Sequence, residues 1–117
     1  MPANLDAYRT LFDQPESVPV DAADADVDCL VIGAGPAGLT TAVYLSRFHR
    51  KVLVADGGHG RASLIPRSHN YPGFPPGISG KDLLARLREQ ALRYGASIEQ
   101  GRVDSLLQSP AGFTARL

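Results

Sequence analysis

Val27-Asp28-Cys29-Leu30-Val31-Ile32-Gly33-Ala34-Gly35-Pro36-Ala37-Gly38 reads as an apolar strand that stops at a glycine and reopens as a helix. A short, mostly apolar run of this kind is how a strand buried on both faces is written in a parallel sheet. From Pro36 to Phe48, Leu39, Ala42 and Val43 fall on one helical face, and Tyr44, Leu45 and Phe48 extend the apolar surface round its side. That width predicts a helix covered by sheet and by other chain. Lys51 to Ala55 supplies a second strand, Val52-Leu53-Val54, and Asp56 follows it. Strand, helix and strand from Asp28 to Asp56 make one βαβ unit of about thirty residues, the length such a crossover needs.

The turn between the first strand and the helix has the pattern G-x-G-x-x-G, and each glycine has a physical task. Gly33 permits the tight exit from the strand, Gly35 lets the main chain approach a diphosphate with no Cβ in the way, and Gly38 lets the helix lie close to the sheet. The first amides of a helix have no intrahelical acceptor and carry the positive end of its dipole, which suits an anion. Pro36 fits there because it has no N–H to leave unpaired. Asp56 stands eighteen residues after Gly38, where a carboxylate accepts from the ribose hydroxyls of an adenosine and repels a 2′-phosphate. Glycines also cluster in plain structural turns, so the pattern gains its meaning from the strand, helix and acid around it.

Outward from this unit the composition changes. Leu5 to Phe12 could form a short amphipathic helix, and Gln14 to Asp26, with Pro15 and Pro19, reads as a linker. Residues 1–26 are therefore an extension, and residues 27–117 a single domain. From Gly57 to Gly80 six glycines and four prolines mark a long loop, of a length that calls for a functional explanation. Ser79 then caps a second helix with Asp82 three residues on. Leu84, Leu87, Ala91 and Tyr94 line its face, and Gly95 closes it. Ala96–Glu99, Val103–Gln108 and Phe113–Leu117 read as short strands, the last after a turn at Pro110-Ala111-Gly112.

Composition narrows the function classes. Twelve basic and twelve acidic side chains balance, so no general field draws in nucleic acid or an anionic membrane. No segment reaches the roughly 18 apolar residues of a membrane span, and the first residues lack the apolar core of a secretory signal. With the one cysteine, Cys29, in an apolar strand, no intrachain disulfide can form, which suits the cytoplasm. His49, His59 and His69 match no metal-binding spacing, and no catalytic acid, base or nucleophile can be named.

The glycine turn with proline at its fourth place, the Val52–Gly58 stretch, and above all Asn70-Tyr71-Pro72-Gly73-Phe74 followed by Gly77-Ile78-Ser79-Gly80 and a helix resemble the thioredoxin reductase-like branch of FAD-dependent pyridine nucleotide oxidoreductases. The resemblance spans roughly Asp28 to Val103. It implies a Rossmann-like α/β fold with a parallel sheet, here incomplete, and FAD as cofactor. By that resemblance Gly33, Gly35, Pro36, Ala37 and Gly38 would surround the FAD pyrophosphate, and Asp56 would hold the adenosine ribose. Asn70 would lie near the flavin, and Val103 would meet the adenine through its backbone. The long loop would wrap the extended cofactor.

The chain departs from the family pattern in several places. Asp56 stands where the family usually has Glu, and Gly60-Arg61-Ala62-Ser63-Leu64 where it usually has Gly-Gly-Gln-Leu. Neither a Cys-x-x-Cys nor a second glycine fingerprint is present, so NAD(P)H could serve as donor only if a second domain or a partner supplied its site. The implied function is the FAD-binding portion of an NAD(P)H-dependent flavoprotein oxidoreductase without the redox dithiol. Two alternatives stand beside it, a non-catalytic dinucleotide-binding module and a fragment of an NAD-dependent dehydrogenase. Missing strands would leave a sheet edge and apolar helix faces open, so a homo-oligomer or a completing partner chain is expected.

Overall fold

The computed structural model describes residues 26–58 and 60–117. The helix read at Leu5–Phe12, the linker before Asp26, and His59 lie outside those residues. The first unit is strand β1 (Cys29–Ile32), helix α1 (Pro36–Arg47) and strand β2 (Val52–Asp56). After a 3-10 turn at Arg61–Leu64 come helix α2 (Gly80–Arg93), strand β3 (Ser97–Gln100) and a hairpin of β4 (Ser105–Ser109) and β5 (Gly112–Arg116).

The first three strands form one sheet in the order β1-β2-β3, with both pairings parallel. β4 and β5 pair separately and antiparallel. This is the Rossmann-like parallel α/β arrangement that the family resemblance implies, built on the βαβ unit.

β2 is central, and its β-branched side chains Val52 and Val54 are among the most deeply buried in the molecule. Burying side chains of this size contributes on the order of 1.5–3 kcal/mol each. They gather with Val31 of β1, Ala42 and Val43 of α1, and Ala91 of α2 into the core, joined by Ala96. The two helices also pack on each other, so Ala42 and Ala91, both wholly buried, let them meet on the Val52/Val54 side of the sheet. β1 is tied to β2 just before their first residues as well. The buried Asp28 carboxylate accepts from the Lys51 amide at 2.7 Å, and the Lys51 carbonyl accepts from the Asp28 amide at 2.9 Å.

Element types follow the sequence closely, while several faces do not. Tyr44 and Phe48, expected to be covered, are 60% and 70% exposed, and Ile32 at the tip of β1 is 57% exposed. Nothing among the described elements buries the first two. On α2 the deeply buried leucine is Leu83 rather than Leu84, with Ala91 two turns on, while Tyr94 is 44% exposed under the Arg47 guanidinium, 5.4 Å from its ring centroid. The buried face therefore keeps Ala91 and the half-buried Leu84 and Leu87 of the expected stripe, gains Leu83 and loses Tyr94.

Capping accounts for where the helices end. The Ser79 hydroxyl accepts from the Asp82 amide at 3.1 Å. At the other end the Gly95 amide donates to Leu92 and the Ala96 amide to the Ala91 carbonyl, the paired closure of a Schellman motif. α1 closes similarly, with Arg50 donating to the Leu45 carbonyl at 3.0 Å, although His49 rather than a glycine holds the left-handed position, at φ 60°.

The long loop has structure of its own. Ser68 and Ile78 exchange amide–carbonyl bonds of 2.7 and 2.9 Å, pinching the segment between them into a lobe. Within it, Tyr71 and Phe74 rings lie 6.2 Å apart, and Arg86 of α2 sits over the Phe74 ring. Gly80 donates to the Ile65 carbonyl at 2.9 Å, and a Cβ there would collide with the Ala62 carbonyl. This glycine lets the 3-10 turn lie against the start of α2.

Candidate functional site

The register aligns the strand tips. Ile32 pairs with Ala55 and Asp56 with Gln100, so the glycine turn, the end of β2 and the chain after β3 emerge at one level. Between them lies a cleft of about 330 Å³, lined by Ile32 to Gly35, Ala55 to Gly58, Gly60 and Gly101 to Val103. Open parallel sheets bind ligands at this place, beyond the carboxyl ends of their strands.

Three observations define what the cleft can accept. First, Gly33 has φ 109°, a conformation costly for any residue with a Cβ, and this turns the chain from β1 across the cleft. Second, Gly35 has φ −82° and ψ −175°, which any residue adopts, and a Cβ built on it meets no protein atom within 4 Å. Neither backbone strain nor internal packing accounts for a glycine there. The space a side chain would take opens onto the cleft, as a cradle for a ligand group requires.

Third, α1 begins with no side-chain cap and no acid in its first turn, so its leading amides keep their affinity for an anion. α2 is the contrast within the same molecule, since Ser79 and Asp82 already occupy its N-terminus.

Asp56 forms the opposite wall. Its Oδ1 accepts from the Gly58 amide at 2.9 Å, and its Oδ2 from Arg88 Nη1 of α2 at 3.0 Å. Each carboxylate oxygen retains a second lone pair, so two hydroxyl donors can still be received. Between the glycine turn and this carboxylate the cleft suits the adenosine diphosphate half of a dinucleotide. Its volume lies at the lower end of the roughly 300–1,000 Å³ of small-molecule pockets, too little to enclose a whole one. Among the described residues, no three His, Cys, Asp or Glu side chains gather as a metal ligand set.

Of the residues singled out in the sequence, Gly33, Gly35, Asp56 and Val103 meet in the cleft wall. Pro36, Ala37 and Gly38 are the opening residues of α1 directly behind it. Asn70 stands apart in the loop lobe, where its Oδ1 accepts from the Ser68 hydroxyl at 3.1 Å. Gly101 and Arg102 line the cleft without having been anticipated, and so does Gly60; β3 carried no motif that would have pointed to its end. Arg88 was missed for a different reason, because only the packing of α2 brings it to Asp56.

Residues 31–75 match the family described as NAD(P)-binding Rossmann-like domain. Over 74% of its length the chain is 39% identical to NADPH-dependent thioredoxin reductase 3 of Arabidopsis thaliana, covering 18% of that protein. It is 42% identical over 71% of its length to the thioredoxin reductase of Mycolicibacterium smegmatis, covering 28% of it. Among solved structures, the thioredoxin reductase from Gloeobacter violaceus superposes with a TM-score of 0.66 at 31% identity, over 74% of this chain and 32% of that one. An oxidoreductase from Agrobacterium tumefaciens superposes with a TM-score of 0.69 at 30% identity, over 77% of this chain and 30% of that one. The chain spans less than a third of the length of each of these four relatives. Across the matched residues it is a thioredoxin reductase-like sequence with a Rossmann-like dinucleotide-binding fold, and these four relatives are, by name, three thioredoxin reductases and an oxidoreductase.

Proposed function

We propose that this chain is the FAD-binding portion of a thioredoxin reductase-like, NAD(P)H-dependent flavoprotein oxidoreductase. The observation that carries the reading is Gly35, a glycine with no conformational or packing need of its own, placed where α1 offers uncapped amides to the cleft. The FAD pyrophosphate would lie against Gly33, Gly35 and the first turn of α1 at Pro36, Ala37 and Gly38, with Asp56 accepting from the adenosine ribose. Val103 would meet the adenine through its backbone, and Asn70 would stand toward the flavin end, with the loop lobe following the cofactor. When bound, the flavin would supply the capacity to take up a hydride and pass electrons onward. What the chain's own residues do is bind, orient and hold the ribose hydroxyls.

NAD(P)H would be the electron donor, with its site on a second domain or partner. The one cysteine, Cys29, lies in β1, so a dithiol relay is not part of this portion. Residues 27–117 form the binding domain and residues 1–26 an extension in this reading. Leu106 and Leu107 of β4, 52% and 67% exposed, and the outer edge of β1, which no strand among the described residues pairs, support completion by a partner chain or a second copy. Among the described residues no helix is long and apolar enough to cross a membrane, and the proposed setting is the cytoplasm.

The test is to incubate the purified 117-residue chain with FAD, remove free flavin by gel filtration and record the visible spectrum. Retained flavin with a perturbed absorption band is expected. A colourless protein, from a chain shown to be folded by circular dichroism, would overturn the proposal.

A further inference from the structure

Arg88 belongs to no motif, does not line the cleft, and still touches the one acid that does. Its Nη1 donates to Asp56 Oδ2 across 3.0 Å, from the middle of α2 to the tip of β2, and the two side chains are 39% and 22% exposed. The other carboxylate oxygen is fixed by the Gly58 amide, two residues along the same loop. One oxygen is therefore held locally and the other only by a residue 32 positions away. A carboxylate held at a single oxygen can still swing about its Cβ–Cγ bond; one held at both cannot. Arginine suits this task because its planar, permanently charged fork fixes an oxygen in direction as well as distance.

We propose that Arg88 is a positioning residue for ribose recognition: by holding Asp56 Oδ2 from behind, it turns the free lone pairs of the carboxylate into the cleft toward two neighbouring hydroxyls. This rests on the reading of the cleft as an adenine dinucleotide site and adds the group that sets its preference for an intact ribose. The pair also makes the strand tip less negative than a lone carboxylate, so selection of the ribose comes from direction more than from charge. Removing Arg88 leaves Asp56 in place with its preferred orientation lost. The loss then falls on ligands that use the hydroxyls and spares those without them.

The experiment measures binding of ADP and of 2′,3′-dideoxy-ADP by titration calorimetry to the full chain and to its Arg88→Met and Arg88→Lys variants. The two probes share adenine and diphosphate and differ only in the ribose hydroxyls. Arg88→Met is expected to weaken ADP by about five- to tenfold, part of a hydrogen bond to a charged group, with the dideoxy compound unchanged and Arg88→Lys recovering part of the loss. A purely structural role would weaken both probes equally, and that result, like no change in either, would overturn the proposal. If the unmodified chain took up neither probe, the dinucleotide reading itself would fall and the role of Arg88 with it. Thermal unfolding of each variant, followed by circular dichroism, separates lost folding from lost orientation.

Discussion

A Cβ on Gly38 would run into the carbonyl oxygen of Gly33 and lie 3.1 Å from the Val31 side chain, so the first turn of α1 is seated directly on the end of β1. The obstacle is main chain within a tight turn, which cannot yield without moving the strand. Gly38→Ala is therefore expected to destabilise the fold by about 1–3 kcal/mol, as overpacking does. Urea unfolding followed by circular dichroism would measure it as a lower midpoint with little change in slope.

Gly35, three residues earlier, should respond in the opposite sense. Its backbone angles suit alanine and the added methyl meets no protein atom, so Gly35→Ala is expected to change stability by no more than about 0.5 kcal/mol. The methyl would stand where the diphosphate is proposed to lie, and FAD retention should fall at least about tenfold, the equivalent of roughly 1.4 kcal/mol. Equilibrium dialysis against FAD beside the same urea titration checks both halves. Unchanged flavin uptake would place the pocket elsewhere.

These two glycines are alike in the sequence and differ in what surrounds them, which marks how much was legible. The βαβ unit could be read because a parallel sheet writes its strands as short apolar runs and its crossover helix at period 3.6, and because Ser79 and Gly95 bound α2 by local chemistry. The glycine turn and Asp56 could be placed at one end of the sheet for the same reason, both being tied to strand ends close in sequence. Tyr44 and Phe48 were misjudged because periodicity reports which side of a helix is apolar, not whether another element arrives to cover it. Arg88 was invisible because its meaning depends on the angle at which α2 crosses β2. In the chain after β3 the resemblance points to Val103 alone, because Gly101 and Arg102 belong to no motif and meet the cleft only through the register of β3 on β2.

Cys29 supplies a dependence on pH. Burial chiefly, and the adjacent Asp28 carboxylate second, push its thiol above the usual 9.0. Well below that value both folded and unfolded chains keep the proton, and the thiol makes no difference to the pH slope. As the pH rises past it, the unfolded chain releases the proton while the folded chain retains it, so stability falls until the folded thiol also ionises. Unfolding midpoints between pH 8 and 10 should decline, and Cys29→Ala should decline less steeply over the same range. Equal slopes in the two proteins would mean that the thiol ionises as readily inside the fold as outside it.

His49 ends α1 in the left-handed region at φ 60°, the position a glycine usually takes in this closure. The Arg50 amide reaches back to the Leu45 carbonyl at 3.0 Å, so the geometry is satisfied and only the Cβ of His49 opposes it. That opposition costs about 1–2 kcal/mol for an ordinary L-residue, while a glycine adds about 0.4–1 kcal/mol of unfolded-state entropy. The first term is the larger, so His49→Gly is expected to stabilise the chain by about 0.5 kcal/mol, read as a small rise in the urea midpoint. His49→Val, whose branched side chain resists positive φ more strongly, should move the midpoint down. A glycine variant less stable than the parent would mean that the imidazole contributes a contact outweighing the strain it imposes.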